Sequence, residues 1–227
     1  MPTLHWKEIE TVLLDMDGTL LDLHYDNQFW MHHLPKRLAE KRGVSFKEAQ
    51  LYLTEEYQRV MGTLDWYCLD KWAEKLEMDI VEAKREIDHL ISMRPDTIPF
   101  LDALRDTGRE VYLVTNAHPD SLSLKIEKTQ LDQHINVLYS THQFGVTKES
   151  QLLWQKLQQE IGFNNAKTLF VDDSLTILEA AQEFGIKHLL AVENPDSQKP
   201  VRNISQFPSV RDYRDITPDI FTSSLLT

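Results

Sequence analysis

An α/β fold, built on a parallel sheet with helices on both faces and a helical cap inserted after the first strand, is what this 227-residue sequence predicts. Three observations carry that expectation. Short apolar runs alternate with helical patterns from residue 97 to residue 192, which is the signature of βαβ units. One further apolar run, Thr11–Leu14, stands alone near the start. Between the two lies a stretch, His24–Met93, with helical periodicity and no strand-like run. It reads as an insert over the end of the first strand. The expected division is a core of residues 1–23 and 94–227 and a cap of residues 24–93.

The elements follow in order. Thr11–Leu14 is apolar or β-capable throughout, and Gly18-Thr19 turns the chain away after Asp15-Met16-Asp17. In the insert, Ser45 with Glu48 three residues on forms a capping box for a helix running toward Val60. Further helices are expected over Cys68–Leu76 and Ile80–Ile91. After the insert come helices at Thr97–Thr107, Pro119–Thr129, Glu149–Ile161 and Leu175–Phe184. Strands are expected at Glu110–Thr115, Asn136–Ser140, Thr168–Asp172 and His188–Val192. Gly108, Gly162 and Gly185 each fall just past a helical run, where a left-handed C-cap favours glycine. The tail from Asn194, with Pro195, Pro200, Pro208 and Pro218, is expected to wrap irregularly along the surface.

Composition narrows the function. Lys and Arg number 24 against 36 Asp and Glu, a formal charge of −12, which argues against nucleic acid polymers or an anionic membrane as the main partner. A small anionic substrate stays compatible, because a bound cation and one lysine can reverse the local field. The single cysteine, Cys68, cannot form an intrachain disulfide and fits a reducing compartment. Met1–Glu10 has no apolar core of the signal-peptide kind, and no apolar run approaches the ~20 residues a spanning helix needs. A cytoplasmic protein, monomeric or a homodimer, is the expectation.

In an open parallel sheet, ligands bind beyond the carboxyl ends of the strands. Four polar clusters fall there. Asp15 and Asp17 follow the first strand; two acids at one strand end repel each other unless a cation or a shared proton compensates. Solvated caps of an Asp-Gly turn are the plainer alternative. Thr115-Asn116 ends the second strand, as a turn cap or as donors to phosphate oxygens. Lys148, just before a helix, is a surface charge or a buried cation that neutralises phosphate. Asp172-Asp173-Ser174 ends the strand at Thr168, as a helix N-cap or as ligands for a hard cation such as Mg²⁺.

Taken in order, these pieces resemble the haloacid dehalogenase-like phosphatase superfamily: Asp15-Met16-Asp17-Gly18-Thr19-Leu20, Leu113-Val114-Thr115-Asn116, Lys148, and Val171-Asp172-Asp173-Ser174. The resemblance implies a Rossmann-like core and a Mg²⁺-dependent phosphomonoester hydrolase. In that scheme Asp15 attacks phosphorus and becomes an aspartyl-phosphate, and Asp17 acts as general acid and then base. Thr115, Asn116 and Lys148 bind the phosphate. The metal is held by Asp15, the Asp17 backbone carbonyl and the acids of the last motif. Family dehalogenases lack an acid at the position of Asp17, so its presence favours phosphoryl transfer. Positions 175–178 are Leu-Thr-Ile-Leu where many relatives carry another acid; aligning Ser174 with the family serine makes Asp173 the direct ligand and Asp172 its supporting partner.

Selectivity is expected from the insert. Tyr25, Phe29, Trp30, Trp66, Tyr67 and Trp72 could stack on a base or pack the helices together. His32-His33 lacks the companions of a zinc site. Thr11–Leu23, Trp66–Asp70, Asp96–Leu101, Thr115–Pro119 and Asn194–Ser197 resemble the bacterial 5′-nucleotidases of the superfamily that act on GMP and IMP. That likeness implies a purine nucleoside 5′-monophosphate as the small-molecule phosphate ester. The alternatives are a phosphatase or mutase for a small sugar phosphate, or a non-catalytic binding protein of the same fold.

Overall fold

Six parallel strands form one sheet in the computed structural model, which describes residues 4–226. The strands are β1 (Thr11–Leu14), β2 (Glu110–Thr115), β3 (Val137–Ser140), β4 (Thr168–Asp172), β5 (His188–Val192) and β6 (Ser209–Val210). Their spatial order is β3-β2-β1-β4-β5-β6, with every neighbouring pair parallel. The order reverses between β1 and β4, so a crevice opens at their carboxyl ends, as expected at such a switch point. Leu14 pairs with both Leu113 and Val171, which brings Asp15, Thr115 and Asp172 to one edge.

Alternation along the strands builds two cores. Val12 and Leu14 face one side of the sheet with Val111, Leu113, Leu169 and Val171. Leu13, Val114 and Phe170 face the other, as the period of two requires. The helices Thr97–Asp106, Pro119–Thr129 and Thr217–Phe221 pack on the first face. Gln151–Ile161 and Leu175–Phe184 pack on the second.

Between β1 and residue 97 the described chain is helical. His24–Gln28, a π turn at Phe29–His33 and Leu34–Arg42 run on as one rod, followed by Phe46–Val60, Leu64–Tyr67, Leu69–Leu76 and Ile80–Arg85. Ser45 and Glu48 make the reciprocal capping box. These helices share their own apolar core, with Phe29, Leu38, Leu53, Tyr57, Trp72 and Ile80 buried. The two connections to the sheet lie side by side: Leu21 bridges Met93, Asp22 N–H donates to Ser92 (2.9 Å) and Arg94 N–H to Leu20 (3.0 Å).

Two expectations need correction. The helix expected over Ile80–Ile91 stops at Arg85, and a short 3-10 turn, Asp88–Leu90, completes the segment; Ile80, Ala83 and Ile87 keep an apolar period across the break. The tail is not a surface wrap. It supplies β6 and buries Tyr213 fully, with its ring stacked on Phe100 at 4.2 Å between centroids. A two-residue strand is too short to show alternation in a sequence.

Candidate active site

The acids, Thr115 and Asn116 are delivered by strand ends, and Lys148 by the loop before helix Gln151–Ile161. Asp15 follows β1, its N–H donating to Val171 (3.0 Å). Gly18 then takes φ +87°, a left-handed turn open to glycine at little cost. A Cβ there would stand 2.9 Å from Cγ of Asp173 and 2.9 Å from Cβ of Pro195. The turn is thus bare because the loops after β4 and β5 pass against it.

Asp15, Asp17, Thr115, Asn116, Lys148, Asp172 and Asp173 all line one cavity of about 270 Å³ between the sheet edge and the helical segment. The seven residues singled out in the sequence therefore meet, but in different roles. Lys148 is the centre. Its ammonium, buried, donates to Asp15 Oδ1 (2.5 Å) and Asp172 Oδ2 (2.7 Å). Burial works to discharge it, but Asp15 and Asp172 overrule that and hold it charged well beyond the usual lysine range. Asp172 also accepts the Ser174 N–H (2.8 Å).

Asp15, Asp172 and Asp173 offer oxygens within 4.8 Å of one another. Burial pushes Asp15 up to about 6, with Asp172 adding repulsion and Lys148 opposing it. Asp173 rises well above the carboxylate range through burial and its two neighbours. Its cationic neighbour, the Arg202 guanidinium, stands 4.0 Å away. Asp17 lies outside this trio. Its Oδ1 accepts from Lys125 at 2.6 Å, and burial, then Asp26 and Asp15, push its carboxyl up to about 7 against the pull of Lys125.

The asparagine and threonine of the second motif face inward differently. Asn116 Oδ1 accepts from Lys148 N–H (3.0 Å) and the Thr141 hydroxyl (3.0 Å), while its amide donates to Glu149 (3.1 Å). It thereby seats the loop that carries Lys148. The Thr115 hydroxyl accepts the Ala117 N–H (3.0 Å), which leaves its own proton for the cavity. Helix Gln151–Ile161 starts two residues later than expected, because Ser150 caps it and Glu149 is drawn to Asn116 and to the Tyr67 hydroxyl (3.2 Å).

Several contributors escaped sequence reasoning. Lys125 bridges Asp17 and Asp26, and Lys84 donates to Asp26 from the far side (3.2 Å). Burial works to neutralise the lysines, and for Asp26 it works upward, yet Lys125 and Lys84 hold Asp26 at about 2. The signal was a lysine on the buried face of an amphipathic helix, beside Ser121 and Leu124. The aromatics divide: Phe29, Tyr57 and Trp72 fill the helical core, while Trp30, Trp66 and Tyr67 reach the cavity wall.

Five carboxylates and three buried lysines thus gather in one cleft at the reversal point of a parallel sheet. The family model of haloacid dehalogenase-like hydrolases matches residues 9–185, and the chain belongs to that family. It is 46% identical over 215 residues to the GMP/IMP nucleotidase YrfG of Escherichia coli K12, covering 95% of this chain and 97% of that protein. It is 22% identical over 231 residues to the pyrimidine 5′-nucleotidase PynA of Streptococcus pneumoniae, covering 90% and 94%. Among solved structures, a haloacid dehalogenase-type phosphatase from Thermococcus onnurineus superposes with a TM-score of 0.77 at 22% identity, over 93% of this chain and 98% of that one. No helix among the described residues is long and apolar enough to cross a membrane.

Proposed function

We propose that the chain is a Mg²⁺-dependent phosphomonoester hydrolase, a purine 5′-nucleotidase that converts GMP and IMP to nucleoside and orthophosphate. The observation that carries the chemistry is Lys148 clamped between Asp15 and Asp172 with Asp17 alongside. The substrate rests on the 46% identity with the Escherichia coli nucleotidase. Residues 24–93 act as the cap and residues 1–23 with 94–227 as the core. The single thiol and a nucleotide substrate suit the cytoplasm.

The residues fit a hard divalent cation. Two buried carboxylates and a half-buried third within 4.8 Å of one another repel when ionised, and the Lys148 ammonium with the Arg202 guanidinium 4.0 Å from Asp173 does not balance them. Oxygen-only donors suit Mg²⁺. Asp15 and Asp173 would hold it, with the Asp17 backbone carbonyl. Asp172, already committed to Lys148 and the Ser174 N–H, would steady the ligand set. Once bound, the cation neutralises charge on the transferring phosphoryl group.

The chain's own residues then do the rest. Asp15 attacks phosphorus, the P–O bond to the nucleoside breaks, and Asp17 gives its proton to the departing alkoxide. Asp17, now a carboxylate, takes a proton from the water that attacks the aspartyl-phosphate, and Asp15 is regenerated. Lys148 and the Thr115 hydroxyl neutralise and orient the phosphoryl oxygens, while Asn116 keeps the Lys148 loop in place. Trp30, Trp66 and Tyr67 present rings to the base.

Phosphate release across purine and pyrimidine 5′-monophosphates, sugar phosphates and an aryl phosphate tests this reading. The expected result is a preference for GMP and IMP that vanishes without Mg²⁺. Turnover of sugar phosphates alone would discard the substrate, and isomerised product without free phosphate would replace hydrolysis by a mutase.

A further inference from the structure

Apart from the carboxylates, a second group of ligating side chains sits at the rim of the cleft. Cys68 precedes helix Leu69–Leu76 of the helical segment, His118 caps Pro119–Thr129, and His142 lies in the 3-10 turn after β3. Each offers a donor atom within 4.8 Å of the others. We propose that Cys68, His118 and His142 form a binding site for one Zn²⁺-like cation that pins the helical segment to the sheet edge beside the catalytic cleft.

The chemistry of the donors selects the ion. A thiolate and two imidazoles suit borderline-soft Zn²⁺ and not Mg²⁺, which prefers oxygen. With Zn–S near 2.3 Å and Zn–N near 2.0–2.1 Å, donors around a tetrahedral ion stand about 3.3–3.6 Å apart, inside the 4.8 Å within which these three atoms lie. Three protein ligands leave the fourth position to solvent, and Asp70 Oδ2 stands 3.5 Å from His118 Nε2 as a neighbour.

The imidazoles are prepared for this role. His118 Nδ1 accepts the Asp120 N–H at 3.3 Å, which puts the ring proton on Nε2, the nitrogen facing Asp70. For Nε2 to bind a cation as a neutral imidazole the ring proton must move to Nδ1, giving up the Asp120 N–H, and Asp120 Oδ2, 3.6 Å from Nδ1, stands ready to accept it, as a carboxylate does behind a metal-bound histidine. His142 Nε2 is buried without a hydrogen-bond partner among the described residues. A buried orphan nitrogen costs free energy unless something occupies it. The rings meet edge to face at 5.0 Å. On binding, the Cys68 S–H proton leaves to solvent as the S–metal bond forms.

The position gives the ion a consequence. Tyr67 and Leu69, which flank Cys68, line the cleft, and so does His118. A cation here ties the two sides of the opening together and opposes its widening.

Co²⁺ titration of the chelator-stripped protein, with Mg²⁺ in excess to fill the carboxylate group, tests the site without any activity assay. One equivalent per chain should give a thiolate-to-cobalt charge-transfer band and the strong visible bands of tetrahedral cobalt, both erased by Zn²⁺. Because changes to outer partners alone cost about 10–100-fold in affinity, Cys68→Ser should lose the band, and His142→Gln should weaken binding by ~10-fold or more. A wild-type spectrum lacking the thiolate band overturns the proposal even if a variant fails to fold. An unchanged affinity in His142→Gln also overturns it, reducing the group to a reactive thiol beside a packed imidazole pair.

Discussion

Lys125 Nζ stands 2.6 Å from Asp17 Oδ1 and 2.7 Å from Asp26 Oδ2, buried from solvent. One lysine of the sheet-packed helices thus fixes the carboxyl proposed as acid and base, and ties it to a residue of the helical segment. Lys125→Met should lower kcat by about 10²-fold, the lower end of what a positioned acid–base group contributes, with little change in KM. Steady-state kinetics on GMP checks it. A raised KM at constant kcat would make Lys125 a substrate-binding cation instead.

Asp17 also carries a stability signature. Its folded carboxyl is raised to about 7 from an ordinary 3.8, with burial as the main cause. The unfolded chain therefore releases this proton first, and ionisation costs the metal-free native state stability as pH rises from about 4 to 7. Asp17→Asn removes the contribution. In chelator, the melting temperature of Asp17→Asn relative to wild type should climb between pH 5 and pH 7, a gain on the order of a few kcal/mol. A difference that stays flat or falls over that window contradicts the assignment.

Gly18→Ala should disturb the acids without touching them chemically. The added Cβ meets Asp173 Cγ and Pro195 Cβ at 2.9 Å, on a backbone with φ +87°. Strain of this kind costs about 1–3 kcal/mol, read as a lower melting temperature. Displacement of Asp173 should raise the Mg²⁺ concentration for half-maximal turnover. An unchanged Mg²⁺ requirement would take Asp173 out of the proposed ligand set.

Trp66 lines the cavity and also packs on Tyr57 at 5.0 Å and Trp30 at 5.5 Å. Base stacking is worth about 1–3 kcal/mol per base, so Trp66→Ala should raise KM for GMP roughly 5- to 150-fold and leave KM for an aryl phosphate nearly unaltered. Trp66→Phe, which keeps the packing, should recover most of the loss. Equal loss on both substrates would return Trp66 to the helical core.

The α/β part was legible in the alternation of apolar runs and helical patterns, and the site in three strands that end in chemistry: Val171 in Asp172-Asp173, Val114 in Thr115-Asn116, Leu14 in Asp15. Strand ends are read locally, and the parallel sheet does the gathering. Lys125, Lys84 and Asp26 were not legible, since a helical lysine is ordinarily a solvated charge; only the tertiary fold puts Asp17 and Asp26 on either side of one ammonium. Tyr213 and β6 were hidden by the prolines around them, and their burial depends on Phe100 and β5 far away in sequence. The aromatic run divides: Trp72 is core, and Trp66 is cavity wall, where stacking on a base is proposed.

The most direct test of the account is intact-protein mass spectrometry after rapid acid quench of a single turnover with GMP and Mg²⁺. The account predicts a transient adduct of one phosphoryl group, mapped to Asp15 and absent in Asp15→Asn. Free phosphate released by wild type with no such adduct, or turnover that survives in Asp15→Asn, would contradict it.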